Sequence, residues 1–232
     1  MNIIEALGTR LLFVDGGMGT LLQGMGLEGG QLPPAWNRQE PDKVLFVHEA
    51  YLAAGCDIVT SNTFGADALH FGKEAGGVTG AGVALARKAV TRAGRGFVAL
   101  NLGPTGKLLQ PLGDLPFEEA VTLFGDMAAI GEAEGADVIL IETMSDSYEL
   151  KAAVLGARER TGLPVFAAMM VNENQKLLTG GDIPGMAAML EGLGVSALGL
   201  NCGLGPGQLA PLLEKVLAAA SVPVLVSPNA GL

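Results

Sequence analysis

Seven short apolar runs, each closed by a polar residue and separated from the next by a stretch of helical period, constrain this chain more than any other feature. They are LLFVD (11–15), DIVTS (57–61), FVALN (97–101), DVILIE (137–142), PVFAAMM (164–170), VSALGLN (195–201) and VPVLVS (222–227). Between them lie segments whose apolar residues recur at helical spacing, among them Lys43 to Ala54, Gly82 to Ala93, Phe117 to Glu134, Asp146 to Thr161 and Pro206 to Ala220. Strands that alternate with helices build right-handed βαβ units on a parallel sheet, and strands apolar along their whole length are covered on both faces. Helix starts are marked by Asp146 and Pro116, and Gly135 and Gly162 follow last turns.

The connections are asymmetric. Those after the strands are long, polar and glycine-rich (DGGMGTLLQGMGLEGGQLPPAWN, SNTFGADALHFG, NLGPTGKLLQPLGD), whereas those before them are short (AAGCD, RAGRG, AEGAD, TGLP). In a (β/α)8 TIM barrel the active site is assembled from the loops at the carboxyl ends of the strands. Here Asp15, then Ser61, Asn62 and Thr63, then Asn101, Glu142, Asn201 with Cys202, and Ser227 with Asn229 all fall at such ends. A doubly wound sheet gathers its ligands at one switch point rather than around a whole rim. The expected fold class is therefore α/β, a (β/α)8 TIM barrel with seven strands legible and the eighth βα unit absent, in one domain over 1–232.

Acids outnumber bases by 24 to 14, for a net charge of -10, which leaves no basic footprint for nucleic acid or an anionic membrane surface. The apolar content of 49% with aromatics at only 5% means a core of Ala, Val, Leu, Ile and Met. The first ten residues lack the layout of a signal peptide, and the longest uncharged stretch, Gly192 to Leu213, is broken by glycine and proline, so the expectation is a soluble protein of the cytoplasm.

Asp15 and Glu142 end the first and fourth strands. Each could cap a helix or accept from loop amides, or the two could converge on an ammonium group, because a half-buried cation needs paired anions. Cys202 could be a small buried hydrophobe, a nucleophile or a metal thiolate. No cysteine–histidine dyad is legible, since His48 reads as an interfacial helix residue and His70 as a solvated loop residue. Cys56 precedes the second strand and belongs to the opposite end of a barrel, so the two thiols cannot share a zinc ion. GPTG (103–106) and TGGD (179–182) read as substrate-shaping loops rather than phosphate cradles, with only Lys107 or Lys176 as basic neighbours. Trp36 in the first long loop could be a lid or a docking surface.

The motifs FVDGGMGTLLQ, IVTSNTFGAD, NLGPTGKLLQPLG, IETMSDSYELKAAVLGARE, LLTGGD, ALGLNCGLGP and VSPNAG, taken together and in order, resemble those of the homocysteine S-methyltransferase family. They are most similar to the homocysteine-binding barrels of its cobalamin-dependent, methionine-forming members. The resemblance implies that Asp15 and Glu142 hold the homocysteine amino group. It offers the amides around Gly16 and Gly17, and the segment Ser61, Asn62, Thr63, for the carboxylate, with Asn201 beside them. It implies that Cys202 is the first of three cysteines on a catalytic zinc, which keeps the substrate sulfur as a thiolate. Partner domains binding cobalamin and folate would then supply the methyl group.

This sequence departs from that pattern in lacking the adjacent cysteine pair that follows the eighth strand in the family. The expectation is a domain of a longer polypeptide, inactive by itself, with the other two zinc ligands outside it. Two alternatives stand beside it: a free-standing homocysteine methyltransferase using a sulfonium or betaine donor, and a non-catalytic homocysteine-binding or assembly module.

Overall fold

A computed structural model describes residues Met1–Ala230; Gly231 of the VSPNAG motif and Leu232 lie outside the described residues. Among the described residues, ten α-helices and six strands follow one another: α1 (Ile3–Leu7), α2 (Met18–Gly24), α3 (Trp36–Gln39), α4 (Pro41–Ala54), β1 (Ile58–Thr60), α5 (Ala68–Phe71), α6 (Ala75–Ala93), β2 (Phe97–Leu102), α7 (Phe117–Ala133), β3 (Val138–Met144), α8 (Ser147–Arg160), β4 (Val165–Met169), α9 (Ile183–Gly192), β5 (Ala197–Asn201), α10 (Pro206–Ala219) and β6 (Val224–Ser227). Parallel strands alternate with helices, as the periodicity requires. No helix among the described residues is long and apolar enough to cross a membrane.

The chain divides into two compact units, one of Met1–Leu102 with Asp126–Ile139, the other of Gly103–Gly125 with the residues from Leu140 onward. In the first, β1 pairs in parallel with β2 (Val59 opposite Val98), and Asp137 N donates to Val98 O at 2.8 Å where β3 begins. A core cluster of Leu22, Leu27, Trp36, Val44 and Val47 joins α2, α3 and α4. In the second, β4 pairs with β5 (Ala167 opposite Leu198) and β5 with β6 (Gly199 opposite Leu225), again in parallel. Gly199 is required there: a Cβ at this residue would lie 1.7 Å from Leu225 O.

The first of the seven expected strands is not formed as one. LLFVD makes a single bridge, Val14 to Ile58, because the Asp57 carboxylate accepts from Phe13 N at 2.9 Å where a strand ladder would use a neighbouring carbonyl. Arg10 holds that carboxylate in place at 2.8 Å. Trp36 is not a lid: it is 5% exposed, inside the core cluster, with the Lys43 ammonium 4.4 Å above its ring. His48 is fully buried in α4 rather than interfacial, and neither ring nitrogen has a hydrogen-bond partner. His70 is exposed as expected but lies in the short helix α5 rather than in a loop, its Nδ1 2.9 Å from the Asp67 carboxylate that caps that helix.

Candidate active site

In the first unit, the Asp15 side chain is drawn onto the end of β1: Oδ2 accepts from Thr60 N and Oδ1 from Thr60 Oγ1, both at 2.9 Å. Phe13, Asp15, Gly16, Tyr51 and Cys56 line a hollow of about 440 Å³ beside it. Gly16 packs against the Tyr51 phenol so closely that a Cβ would sit 2.8 Å from its oxygen. Burial, and then the Asp15 carboxylate, push the Cys56 thiol up to about 12 and raise Tyr51 as well, so both remain protonated at neutral pH.

The SNT segment is buried and engaged within the protein. Ser61 Oγ lies 2.7 Å from Thr63 Oγ1, Thr63 Oγ1 donates to Asn101 O at 2.7 Å, and Asn101 N donates to Ser61 Oγ at 3.2 Å. Asn62 Nδ2 donates to Pro33 O at 2.8 Å and to Asn37 Oδ1 at 2.9 Å, which ties the long first loop to the end of β1. The Ser61 amide is used by Ala99 O and that of Thr63 by Ser61 O, each at 2.8 Å.

In the second unit, the ends of β3 and β5 bring Glu142, Asn201 and Cys202 together with Thr143, a residue that the sequence reading passed over. Thr143 N donates to Asn201 Oδ1 at 2.8 Å, which fixes the amide so that Nδ2 faces Thr143 Oγ1 at 2.9 Å, Glu142 Oε2 at 3.3 Å and Cys202 Sγ at 3.4 Å. The Thr143 hydroxyl, having accepted from Asn201, donates to Cys202 Sγ at 3.6 Å. The sulfur thus lies within hydrogen-bond reach of two donors, the Thr143 hydroxyl and the Asn201 amide. Thr143 and Cys202 both adopt left-handed backbone conformations, with φ of 62° and 55°. Such strain in non-glycine residues persists where the surroundings over-determine it, and it gathers at functional sites. Among the described residues no three His, Cys, Asp or Glu side chains are grouped so as to hold a metal ion.

Residues 12–232 match the family model described as homocysteine S-methyltransferase. The chain is 35% identical to a methionine synthase of Mycobacterium tuberculosis and 34% identical to one of Mycobacterium leprae, in each case over all of its own length but only 21% of the relative's. Among solved structures, the metallated form of the homocysteine methyltransferase MmuM from Escherichia coli superposes with a TM-score of 0.84 at 22% identity, covering 98% of this chain and 86% of that one. Its apo form gives 0.79 at 23% identity. The structures establish the fold, and the family model spanning nearly the whole sequence shows that this chain belongs to the homocysteine S-methyltransferase family.

Proposed function

We propose that this chain binds homocysteine and presents its sulfur for methylation to methionine. The methyl group would arrive on methylcobalamin, carried by a partner domain of the same longer polypeptide and recharged from 5-methyltetrahydrofolate on a folate-binding domain. In the transfer a sulfur–carbon bond forms, the thiol proton is lost, and the donor keeps the electron pair of the bond that breaks. The observation that carries the reading is the cluster of Glu142, Thr143, Asn201 and Cys202, whose hydrogen bonds orient a carboxylate and a sulfur from two strand ends over strained backbone. Support for methionine as the product comes from the two mycobacterial relatives, named methionine synthases, of which this chain spans about a fifth.

Glu142 and Asp15 are proposed as the partners of the homocysteine ammonium group, and the amides of Gly16 and Gly17 as donors to its carboxylate. Ser61, Asn62 and Thr63 support that region through the bonds they make within the protein. Cys202 would be a zinc ligand. The described residues do not fit a zinc ion by themselves, because they group only this one thiolate with too few further ligands. The other ligands are proposed to lie outside residues 1–230. A cytoplasmic setting is proposed with the activity.

A second reading, a free-standing homocysteine methyltransferase using a sulfonium or betaine donor, is compatible with the fold shared with the homocysteine methyltransferase MmuM. Methionine formation by the complete gene product, assayed with methylcobalamin, a methylsulfonium compound and betaine in turn, separates the two; methylcobalamin is the expected donor. Glu142→Gln should weaken homocysteine binding by about 1.5–3 kcal/mol, the worth of a hydrogen bond to a charged group. An unchanged KM would remove the ammonium role.

A further inference from the structure

Two buried carboxylates near the amino end of α8 hold two loops that the sequence marks as substrate-shaping. Glu149, 4% exposed, accepts at Oε1 from Thr105 N at 2.7 Å and from Thr105 Oγ1 at 2.6 Å, and so grips the GPTG loop that follows β2. Asp146, 5% exposed, caps α8 by accepting from Tyr148 N at 2.9 Å, and its same oxygen accepts from Thr179 Oγ1 at 3.1 Å in the LLTGGD loop that follows β4. That second loop is tied again by Leu178 N to Ser145 O at 2.8 Å. Three residues before Asp146 stands Thr143, the strained residue whose amide orients Asn201.

One short segment, 142–149, thus carries the Glu142 carboxylate, the residue that orients Asn201, and the anchors of both loops. The chemistry of the anchors also says what the GPTG loop is not. Its central amide and hydroxyl both point at an internal carboxylate, whose negative charge disfavours phosphate at the same place. A buried carboxylate that accepts two hydrogen bonds is costly to leave half-satisfied, so the loop is held firmly rather than left to close on a ligand.

We propose that Glu149, acting through Thr105, is a positioning residue of the acceptor site, with Asp146 its counterpart on the LLTGGD loop. Glu149 fixes the GPTG loop relative to the Glu142–Thr143–Asn201–Cys202 cluster, and so determines how well the small amino-acid thiol is held rather than how fast its sulfur reacts. The proposal rests on the homocysteine reading above.

Glu149→Met removes the acceptor while keeping length, and Glu149→Gln keeps an oxygen able to accept both bonds; Thr105→Val deletes one donor and Thr105→Ser restores it. In the complete gene product, Glu149→Met should raise the homocysteine KM about tenfold with kcat within about twofold, Glu149→Gln and Thr105→Ser should stay near wild type, and Thr105→Val should fall between. In the 232-residue chain, amide exchange over residues 103–109 should quicken about tenfold in Glu149→Met and Thr105→Val while β5 keeps its protection. If Glu149→Met does not fold, the Thr105 pair carries the test. Unchanged exchange in the loop overturns the brace. Faster exchange with an unmoved KM, or kcat falling in step with KM, overturns the positioning role. A wild-type protein that forms no methionine from homocysteine, yet shows the exchange pattern, overturns the functional reading and the positioning role with it.

Discussion

At the residue scale, His48 makes the clearest statement about pH. With both ring nitrogens buried and unpartnered, burial lowers its pKa from 6.5 to about 4. The unfolded chain takes up the proton near pH 6.5, the folded protein only near pH 4, so the neutral imidazole contributes its full stability above pH 6.5 and loses it as the pH falls. The loss amounts to about 3 kcal/mol by pH 4. Denaturant titrations at neutral and acidic pH should show this slope in the wild type and a flatter one in His48→Leu; parallel slopes would mean that the imidazole finds a partner in solution. Asp57 adds to the loss in the same direction, since the Arg10 guanidinium holds its carboxyl below the usual range. Glu142 and Cys202 were legible as candidates because an apolar run that stops at polar residues marks a strand end; Asp15 was reached by the same rule although LLFVD makes only a single bridge. Thr143 was not, because nothing in IETM announces a left-handed backbone, and His48 was misplaced because a helical period shows that a residue lies on a face, not how deep that face is buried.

At the scale of elements, the crossing of α7 and α8 is made by glycines. A Cβ at Gly156 would meet Val121 O at 2.3 Å, and one at Gly125 would meet Gly156 O at 3.1 Å. Gly156→Ala should therefore destabilise the protein by about 1–3 kcal/mol through overpacking, despite gaining about 1 kcal/mol of helix propensity. A thermal melt showing equal or raised stability would mean that the helices can part at no cost. The five long helices and six of the seven strands followed from periodicity. The elements that escaped it are instructive: α2 lies within MGTLLQG and α9 begins IPGM, where glycine and proline hide the apolar spacing, although Asp182 accepting from Gly185 N at 3.0 Å is an ordinary helix start. The first strand failed for the opposite reason, a good apolar run whose ladder is intercepted by the side chain of Asp57.

At the scale of the whole molecule, ligand counting gives a prediction independent of resemblance. With Cys202 the one cysteine of the cluster and no group of three metal-binding side chains among the described residues, the dialysed 232-residue protein should retain well under one zinc per chain. Metal analysis showing a full equivalent would send attention first to His70, whose Nδ1 is already held by Asp67. The paired left-handed residues at the ends of β3 and β5 carry a wider consequence. A β-branched threonine at φ 62° is a poor choice for stability, and glycine would relieve it at once. Yet glycine would also delete the hydroxyl that links Asn201 to the Cys202 sulfur. Thermostability and preorganisation thus pull against each other at this residue, and a search that rewarded heat resistance alone would choose glycine at 143 and dismantle the cluster in doing so.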